Sequence, residues 1–176
     1  AAMERDVTEM GALVDAFLDF ARAEATSGEP ERVDPVRFVR EVVEDAQRMG
    51  RRVALRDGPA PGETCLFRPD AMRRALDNLI GNAVRYGRRA EVSVVITPKA
   101  LRIVVEDDGP GIPPERREEA LKPFIRLDPA RNQDRGQGVG LGLSIAADIL
   151  RSHGGSLRLG SSPQLGGLMA ELILPR

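Results

Sequence analysis

The chain has 176 residues, 41% of them hydrophobic, so it is long enough to bury the core of one domain of ordinary size. A formal net charge of −1 and only 3% aromatic residues argue against a nucleic-acid-binding protein, which needs basic surfaces and stacking platforms. The single cysteine cannot form an internal disulfide and no apolar run could span a bilayer, so we expect a cytoplasmic piece of a longer protein.

The first 27 residues predict an amphipathic helix that packs against partner helices. Apolar side chains recur with alternating four- and three-residue spacing, the a and d pattern of helical bundles. They are Met3, Val7, Met10, Val14, Phe17 and Ala21. A helix lying on the core of its own domain gives the same pattern and is the alternative. The polar run Thr26-Ser27-Gly28-Glu29-Pro30 is typical of a linker, so we favour a bundle helix whose partners lie elsewhere.

Residues 28–34 predict a linker and first strand, and residues 35–176 predict a domain that mixes helices and strands. Asp34 is expected to cap a helix over residues 35–49, because an N-cap aspartate followed by proline suits the first turn of a helix. A second helix is predicted over residues 68–86, ending at Gly87. Strands are predicted at residues 31–34, 53–57, 64–67, 91–97, 101–106, 156–160 and 168–174, the last four as two hairpins.

The second of these helices carries two asparagines, Asn78 and Asn82, one turn apart among apolar neighbours. Asparagine is a poor residue for a helix interior, because its side chain competes for backbone hydrogen bonds. Asn82 could be a core residue bonded to a loop, or it could offer its carbonyl oxygen to Mg²⁺, which prefers oxygen ligands. Arg85, three residues further on, would lie on the same face and could meet a phosphate.

The apolar run Ile103-Val104-Val105 brings Asp107 to the end of a predicted strand, where Asp107-Asp108-Gly109-Pro110-Gly111 turns the chain. A carboxylate in that position could accept a hydrogen bond from an exocyclic amine such as N6 of adenine. An aspartate that only caps a glycine-rich turn is the alternative.

Alternating glycines stand directly before a third helical pattern, in the run Gly136-Gln137-Gly138-Val139-Gly140-Leu141-Gly142-Leu143. Glycine lets backbone N–H groups approach a ligand, and a helix start adds unpaired donors and a positive dipole end, so the pair could bind an anion. A flexible turn is the alternative. No Lys-Ser or Lys-Thr follows, so the run is not a Walker A loop. Residues 127–137 are polar and unpatterned and predict a mobile loop.

In their order along the chain, these motifs resemble the nucleotide-binding boxes of sensor histidine kinases. Residues 78–82 resemble the N box, 107–111 the G1 box, Pro123-Phe124 the F box and 138–142 the G2 box. The resemblance covers essentially the whole chain and is strongest to an osmosensing member. It implies an α/β fold, the Bergerat-type two-layer sandwich shared with gyrase B, heat-shock chaperone ATPases and mismatch-repair ATPases. That fold has a mixed sheet with helices on one face, here preceded by one bundle-type helix.

The resemblance also implies roles for single residues. Asn82 would hold Mg²⁺, Asp107 would bind the adenine amino group, and residues 127–137 would form the ATP lid. The catalytic residues, which serve the metal and the phosphates, would be Asn78, Asn82, Arg85 and Arg126. The residues that contact ATP or ADP would be Asn78, Asn82, Arg85, Tyr86, Asp107, Gly109, Gly111, Ile112, Phe124, Gly136, Gly138, Val139, Gly140, Leu141, Gly142 and Leu143.

Two features depart from the family pattern. Leu121 stands where the F box usually opens with phenylalanine, which changes a hinge contact. The family's phosphoacceptor histidine lies on the first helix of a dimerisation and phosphotransfer hairpin, whereas residues 1–27 resemble the second helix. The single histidine, His153, precedes two glycines and is expected to be a structural residue that the helix dipole favours.

The implied function is that of the ATP-binding catalytic domain of a two-component protein-histidine kinase. It would transfer the γ-phosphoryl of ATP to a histidine on a hairpin helix, in cis or in trans, for relay to a response regulator receiver domain. The full-length protein would be a homodimer anchored in the inner membrane, with this portion in the cytoplasm and no nucleic-acid partner.

Three alternatives fit the residues less well than a histidine kinase does. A hydrolytic ATPase is disfavoured because Asn78 stands where those relatives carry a glutamate base. A serine kinase that acts on an anti-sigma partner lacks the leading bundle helix. A dimerisation module without kinase activity would be expected to have lost Asn82, Asp107 or the glycines of the G2 box, and all are intact.

Overall fold

The computed structural model describes residues 2–25, 28–122 and 142–176, with the side chains of the first helix described as far as residue 17. The helices are α1 (Ala2–Ala25), α2 (Pro35–Arg48), α3 (Pro69–Tyr86), α4 (Arg117–Ala120) and α5 (Gly142–Ser152). The strands are β1 (Glu31–Val33), β2 (Val53–Leu55), β3 (Cys65–Phe67), β4 (Ala90–Ile96), β5 (Ala100–Asp107), β6 (Ser156–Ser161) and β7 (Leu168–Pro175).

Five of the strands form a mixed sheet in the order β2-β4-β5-β7-β6. Strand β2 runs parallel to β4, and the other neighbours are antiparallel. Both predicted hairpins, β4–β5 and β6–β7, are therefore confirmed. Strand β3 pairs instead with β1 in a separate two-stranded sheet, so the strands on the two sides of the glycine- and proline-rich turn belong to different sheets.

Helices α2, α3 and α5 supply the second layer, and their apolar faces share one core with the sheet. Strand positions alternate, so Leu101, Ile103 and Val105 of β5 face this core while Glu106 lies on the other face of the sheet, here called the open face. Large side chains that the core buries almost completely are Val39, Val42, Met72, Leu76, Ile80, Val92, Leu101, Ile103, Leu150 and Leu172. The mixed two-layer α/β fold expected from the sequence is confirmed.

The ends of α2 and α3 agree with the predicted bounds to within a residue. Asp34 caps α2, because its Oδ1 accepts hydrogen bonds from the N–H groups of Val36 at 3.0 Å and Arg37 at 3.2 Å. Helix α3 ends before Gly87, as predicted, but Gly87 is extended (φ −98°) and not left-handed. A Cβ on Gly87 would lie 2.8 Å from Oδ1 of Asp108, so close approach is the reason for the glycine.

Helix α1 leaves most of its apolar stripe uncovered in this chain. The side chains of Met3, Val7, Met10 and Phe17 are 60–80% exposed. Ala16, in contrast, is 7% exposed and joins the core cluster, on the side where α1 contacts α5. The predicted division into residues 1–27, 28–34 and 35–176 stays a prediction. Among the helices that the structure describes, none combines the length and apolar character needed to cross a membrane.

Candidate functional site

Asp107 ends β5 as a buried carboxylate. The residue is 4% exposed, and its Oδ1 accepts hydrogen bonds from the N–H groups of Gly109 at 2.9 Å and Leu168 at 3.1 Å. Burial raises the pKa of Asp107, and these two backbone donors oppose that rise. Both bonds end on Oδ1, so within the described part of the chain Oδ2 is the oxygen placed to accept a donor from a ligand.

Two glycines make room for this carboxylate. A Cβ on Gly109 would lie 3.0 Å from Oδ1 of Asp107 and 2.9 Å from the carbonyl oxygen of Tyr86. A Cβ on Gly167 would lie 2.3 Å from the same Oδ1, closer than real Cβ atoms approach. Gly109 was predicted as a site residue, whereas Gly167 was not. The signal for it is the pair Gly166-Gly167, which lies between the two strands of the second predicted hairpin.

Asn82 lies beside the first residue of α5. A Cβ on Gly142 would be 3.2 Å from Nδ2 and 3.3 Å from Oδ1 of Asn82, so the absence of a side chain lets the amide sit close to the helix start. Helix α5 has 11 residues, and the first turn of such a helix carries N–H groups that have no partner within the helix, together with the positive end of its dipole. The structure therefore brings an amide oxygen, an amide donor and a helix N-terminus together, which suits a phosphate with an attached cation.

Asn78, one turn before Asn82 on α3, has a side-chain nitrogen that is buried and has no hydrogen-bond partner among the described residues. Leaving such a donor unpaired costs about 1–3 kcal/mol, so a buried orphan amide indicates a missing partner. Asn78 lines a pocket of about 340 Å³ together with Asp70, Arg73, Arg74, Asp77 and Ile145. Burial raises the pKa of Asp77 in that lining, against the opposing charges of Arg73 and Arg51.

The remaining predicted site residues fall into two groups. Arg85 and Tyr86 end α3 next to the Asp107 turn, with Arg85 partly buried and Tyr86 37% exposed. Gly111 adopts a left-handed backbone (φ +71°), and the Ile112 carbonyl accepts a hydrogen bond from Arg117. Leu143 packs against the core at the start of α5. Phe124, Arg126, Gly136, Gly138, Val139, Gly140, Leu141 and the predicted lid at residues 127–137 lie outside the described residues.

His153 joins the end of α5 to the start of α3. Its Nε2 accepts a hydrogen bond from the N–H of Arg68 at 3.1 Å, and its Nδ1 lies 2.7 Å from the carbonyl oxygen of Ile149. A carbonyl can only accept, so Nδ1 is the donor in this contact while Nε2 is the acceptor. Hydrogen bonds to both nitrogens within the fold agree with the structural role expected of His153.

The site has no protein-built metal cage within residues 2–25, 28–122 and 142–176, where no group of three His, Cys, Asp or Glu side chains could hold an ion. What it offers to a cation is the amide oxygen of Asn82. That fits Mg²⁺, which is bound through few protein ligands and completes its shell with waters and substrate phosphates.

The comparisons with known proteins agree with this geometry. Residues 67–176 match the model of a family described as histidine kinase-, DNA gyrase B-, and HSP90-like ATPase. The chain is 37% identical over 174 residues to the sensor histidine kinase GtrS of Pseudomonas aeruginosa, covering 98% of this chain and 34% of GtrS. It is 35% identical over 178 residues to the sensor protein RstB of Escherichia coli, covering 99% and 41%. The chain thus spans well under half the length of these relatives.

Solved structures give the same result. The ATP binding domain of PrrB from Mycobacterium tuberculosis superposes with a TM-score of 0.66 at 29% identity, covering 84% of this chain and 98% of that one. Full-length ShkA in complex with AMPPNP gives a TM-score of 0.69 at 27% identity, covering 96% of this chain and 36% of that one.

Proposed function

Because the chain belongs to the family of histidine kinase-, DNA gyrase B- and HSP90-like ATPases, we propose that it is the ATP-binding catalytic domain of a sensor histidine kinase. The observation that carries the proposal is the buried Asp107 carboxylate, on the same α/β domain as Asn82 and the α5 N-terminus. Its Oδ1 accepts two N–H groups, and its Oδ2 accepts none from the residues that the structure describes. The relatives that match the chain over 98–99% of its length are the sensor histidine kinase GtrS and the sensor protein RstB.

Adenine recognition is assigned to Asp107. The exocyclic amine of adenine would donate to Oδ2, while Gly109 and Leu168 hold Oδ1 and so fix the direction of the free oxygen. A hydrogen bond to an ionised carboxylate in a buried place contributes about 1.5–3 kcal/mol. Guanine, which has a carbonyl oxygen in place of that amine, would face the carboxylate with an acceptor and be rejected.

The phosphates are assigned to Asn82 and the start of α5. Asn82 would offer its amide oxygen to Mg²⁺, and the N-terminus of α5 would offer backbone donors to phosphate oxygens. The orphan Nδ2 of Asn78 supplies a further donor beside them, and Arg85 a positive charge. When bound, Mg²⁺ neutralises charge on the phosphate oxygens.

Transfer of the γ-phosphoryl group depends on positioning and electrostatic stabilisation more than on proton chemistry. The bond between the γ-phosphorus and the bridging oxygen of ADP breaks while a bond to an imidazole nitrogen forms, and ADP leaves. Asn78 cannot take a proton from water, which disfavours hydrolysis. We propose that the acceptor is a histidine on a hairpin helix, presented in cis or in trans, since both nitrogens of His153 are engaged within the fold.

The partners of the full-length protein follow from the same proposal. The uncovered stripe of α1 supports packing of this helix in a homodimeric hairpin bundle. A response regulator receiver domain would take the phosphoryl group from the histidine. The catalytic portion would work in the cytoplasm, next to an inner-membrane anchor.

The first experiment titrates the chain with a fluorescent ATP analogue, with and without Mg²⁺, and displaces it with ADP and GDP. We expect binding that ADP but not GDP displaces and that Mg²⁺ strengthens in the wild type but not in Asn82→Ala. The second incubates the chain with labelled Mg-ATP, alone and with a hairpin that carries the phosphoacceptor histidine. Label is expected only on the hairpin, as an acid-labile phosphohistidine. Absence of nucleotide binding, or brisk ATP hydrolysis that Asn78→Ala abolishes, would contradict the proposal.

A further inference from the structure

The turn between β6 and β7 holds Asp107 from one side. Ser162 opens this turn, with its N–H bonded to the Gly167 carbonyl at 2.8 Å and its carbonyl bonded to the Gly166 N–H at 3.0 Å. The turn then reaches Asp107 twice. The Gly167 N–H donates to the Asp107 carbonyl at 3.0 Å, and the Leu168 N–H donates to its Oδ1 at 3.1 Å.

The same turn is fixed on the open face of the sheet by a buried side-chain network. The hydroxyl of Ser162 donates to Oε1 of Glu106 at 2.8 Å and accepts from the N–H of Leu165 at 3.0 Å. Ser162 and Glu106 are each 4% exposed. Arg56 pairs with Oε2 of Glu106 and also with Glu91, so the buried carboxylate has a partner on each oxygen. Because both oxygens of the buried Glu106 are paired, the carboxylate and the Ser162 hydroxyl are held in one arrangement.

Glu106 and Asp107 are neighbours in β5, so their side chains point to opposite faces of the sheet. The turn is therefore attached to β5 at two points, by a hydroxyl on the open face and by two N–H groups at Asp107. Removing the hydroxyl would leave Oε1 of Glu106 without its donor in a buried place, and the turn would be free to shift. The Leu168 N–H would then hold Oδ1 of Asp107 less well, and the direction of Oδ2 would be less defined.

We propose that Ser162, through its hydrogen bond to the buried Glu106, is a positioning residue for the recognition of the adenine amino group by Asp107. This inference rests on the proposed nucleotide-binding function. Specificity for adenine would then depend in part on a hydrogen bond that lies on the open face of the sheet, opposite the ligand. Ser162 does not touch the base, and its effect travels through the turn that contains Gly167.

The test measures dissociation constants for ADP and for purine riboside 5′-diphosphate, which has a hydrogen in place of the 6-amino group. Ser162→Ala is expected to weaken ADP binding about three- to tenfold, the effect of one ordinary hydrogen bond, and to leave the purine analogue unchanged. In an Asp107→Asn background the same substitution should add nothing. Ser162→Thr, which keeps a hydroxyl, should restore the preference, and Ser156→Ala, at an exposed position of β6, should match the wild type.

The possible results distinguish a failure of the inference about Ser162 from a failure of the proposed nucleotide binding. If Ser162→Ala keeps the full preference for ADP over the purine analogue, or if its effect adds fully to that of Asp107→Asn, Ser162 has only a structural role and the inference fails. If the wild type binds no ADP, the proposed function itself fails. Should circular dichroism show Ser162→Ala unfolded, Glu106→Gln replaces it in the same two titrations, and an unchanged preference for ADP in that variant overturns the inference.

Discussion

Replacing Asp107 by asparagine tests the candidate site most sharply, because the change keeps the shape of the side chain. The oxygen of the amide can still accept the N–H groups of Gly109 and Leu168, which lie 2.9 and 3.1 Å from Oδ1. The amide nitrogen then takes the place of Oδ2 and presents a donor to the donor of the adenine amine. The lost charge-assisted bond is worth about 1.5–3 kcal/mol, so ADP should bind about 10- to 150-fold more weakly.

The same substitution should not lower the stability of the nucleotide-free chain. Burial raises the pKa of Asp107, so the fold disfavours the ionised form. A carboxyl with a raised folded-state pKa contributes stability at a pH below its unfolded-state value, and this is lost as the pH rises through the folded-state pKa. At neutral pH the buried ionised carboxylate therefore destabilises the folded state, and a neutral amide removes this destabilisation. Asp107→Asn should keep or raise the melting temperature while it loses affinity.

Competition by ADP against a fluorescent ATP analogue gives the affinity, and thermal melts followed by circular dichroism give the stability. Asp108→Asn is the matched control, because the Oδ1 of Asp108 accepts from the N–H groups of Arg88 and Arg89. Those bonds hold the pKa of Asp108 below its usual range, so its charge stabilises the fold. Asp108→Asn should therefore lower the melting temperature and leave the ADP affinity unchanged. Equal ADP affinity in wild type and Asp107→Asn, or a loss of affinity matched by a fall in melting temperature, would refute the reasoning.

Three further outcomes are expected. ADP binding should weaken as the pH falls through the raised pKa of Asp107, because the carboxylate becomes protonated. In calorimetric titrations the ADP affinity of Asp107→Asn should change with pH only as far as protonation of the nucleotide itself requires. Gly155→Ala would place a Cβ 2.1 Å from a carbonyl oxygen of β7 and should cost about 1–3 kcal/mol or more in urea unfolding, whereas Gly11→Ala meets nothing within 4 Å and should be neutral or stabilising. His153→Ala leaves the N–H of Arg68 without its acceptor and should cost about 1–3 kcal/mol with unchanged ADP affinity, and mass spectrometry after incubation with Mg-ATP should find no phosphate on His153 in the wild type.

Local sequence signals predicted the elements and much of the site. The Asp34-Pro35 pair gave the start of α2, and the apolar run before Asp107 gave the strand that positions it, because caps and strand periodicity act over a few residues. The partners of those elements were less predictable. Strands β1, β2 and β3 have three residues each, so nothing local decides that β3 pairs with β1 while β2 joins the main sheet.

The contact between Gly167 and Asp107 was missed for the same reason. Sixty residues of sequence separate the two positions, and the paired glycines have a sufficient local explanation as a hairpin turn. Gly87 is a similar case. A glycine after a helix predicts a left-handed cap, but here it is required because Asp108 and the last turn of α3 come too close for a side chain. Gly87 is explained by close atoms of Asp108 and Gly167 by close atoms of Asp107, and both contacts lie too far apart in sequence for a local pattern to contain them.

The two neighbouring carboxylates of β5, Glu106 and Asp107, differ in their hydrogen-bond partners. Glu106 is buried with partners on both oxygens, Arg56 on one and Ser162 on the other, as expected for a charge that belongs to the structure. Asp107 is equally buried, yet the donors that it accepts within the described chain are on Oδ1 alone, and glycines crowd around it where any side chain would collide. A buried carboxylate with one oxygen unpaired among the described residues destabilises the fold, so we expect the missing donor to arrive with a ligand. On the proposed function this donor is the amine of adenine, which would add to the two N–H donors on Oδ1 and complete the stabilisation of the Asp107 charge in the complex.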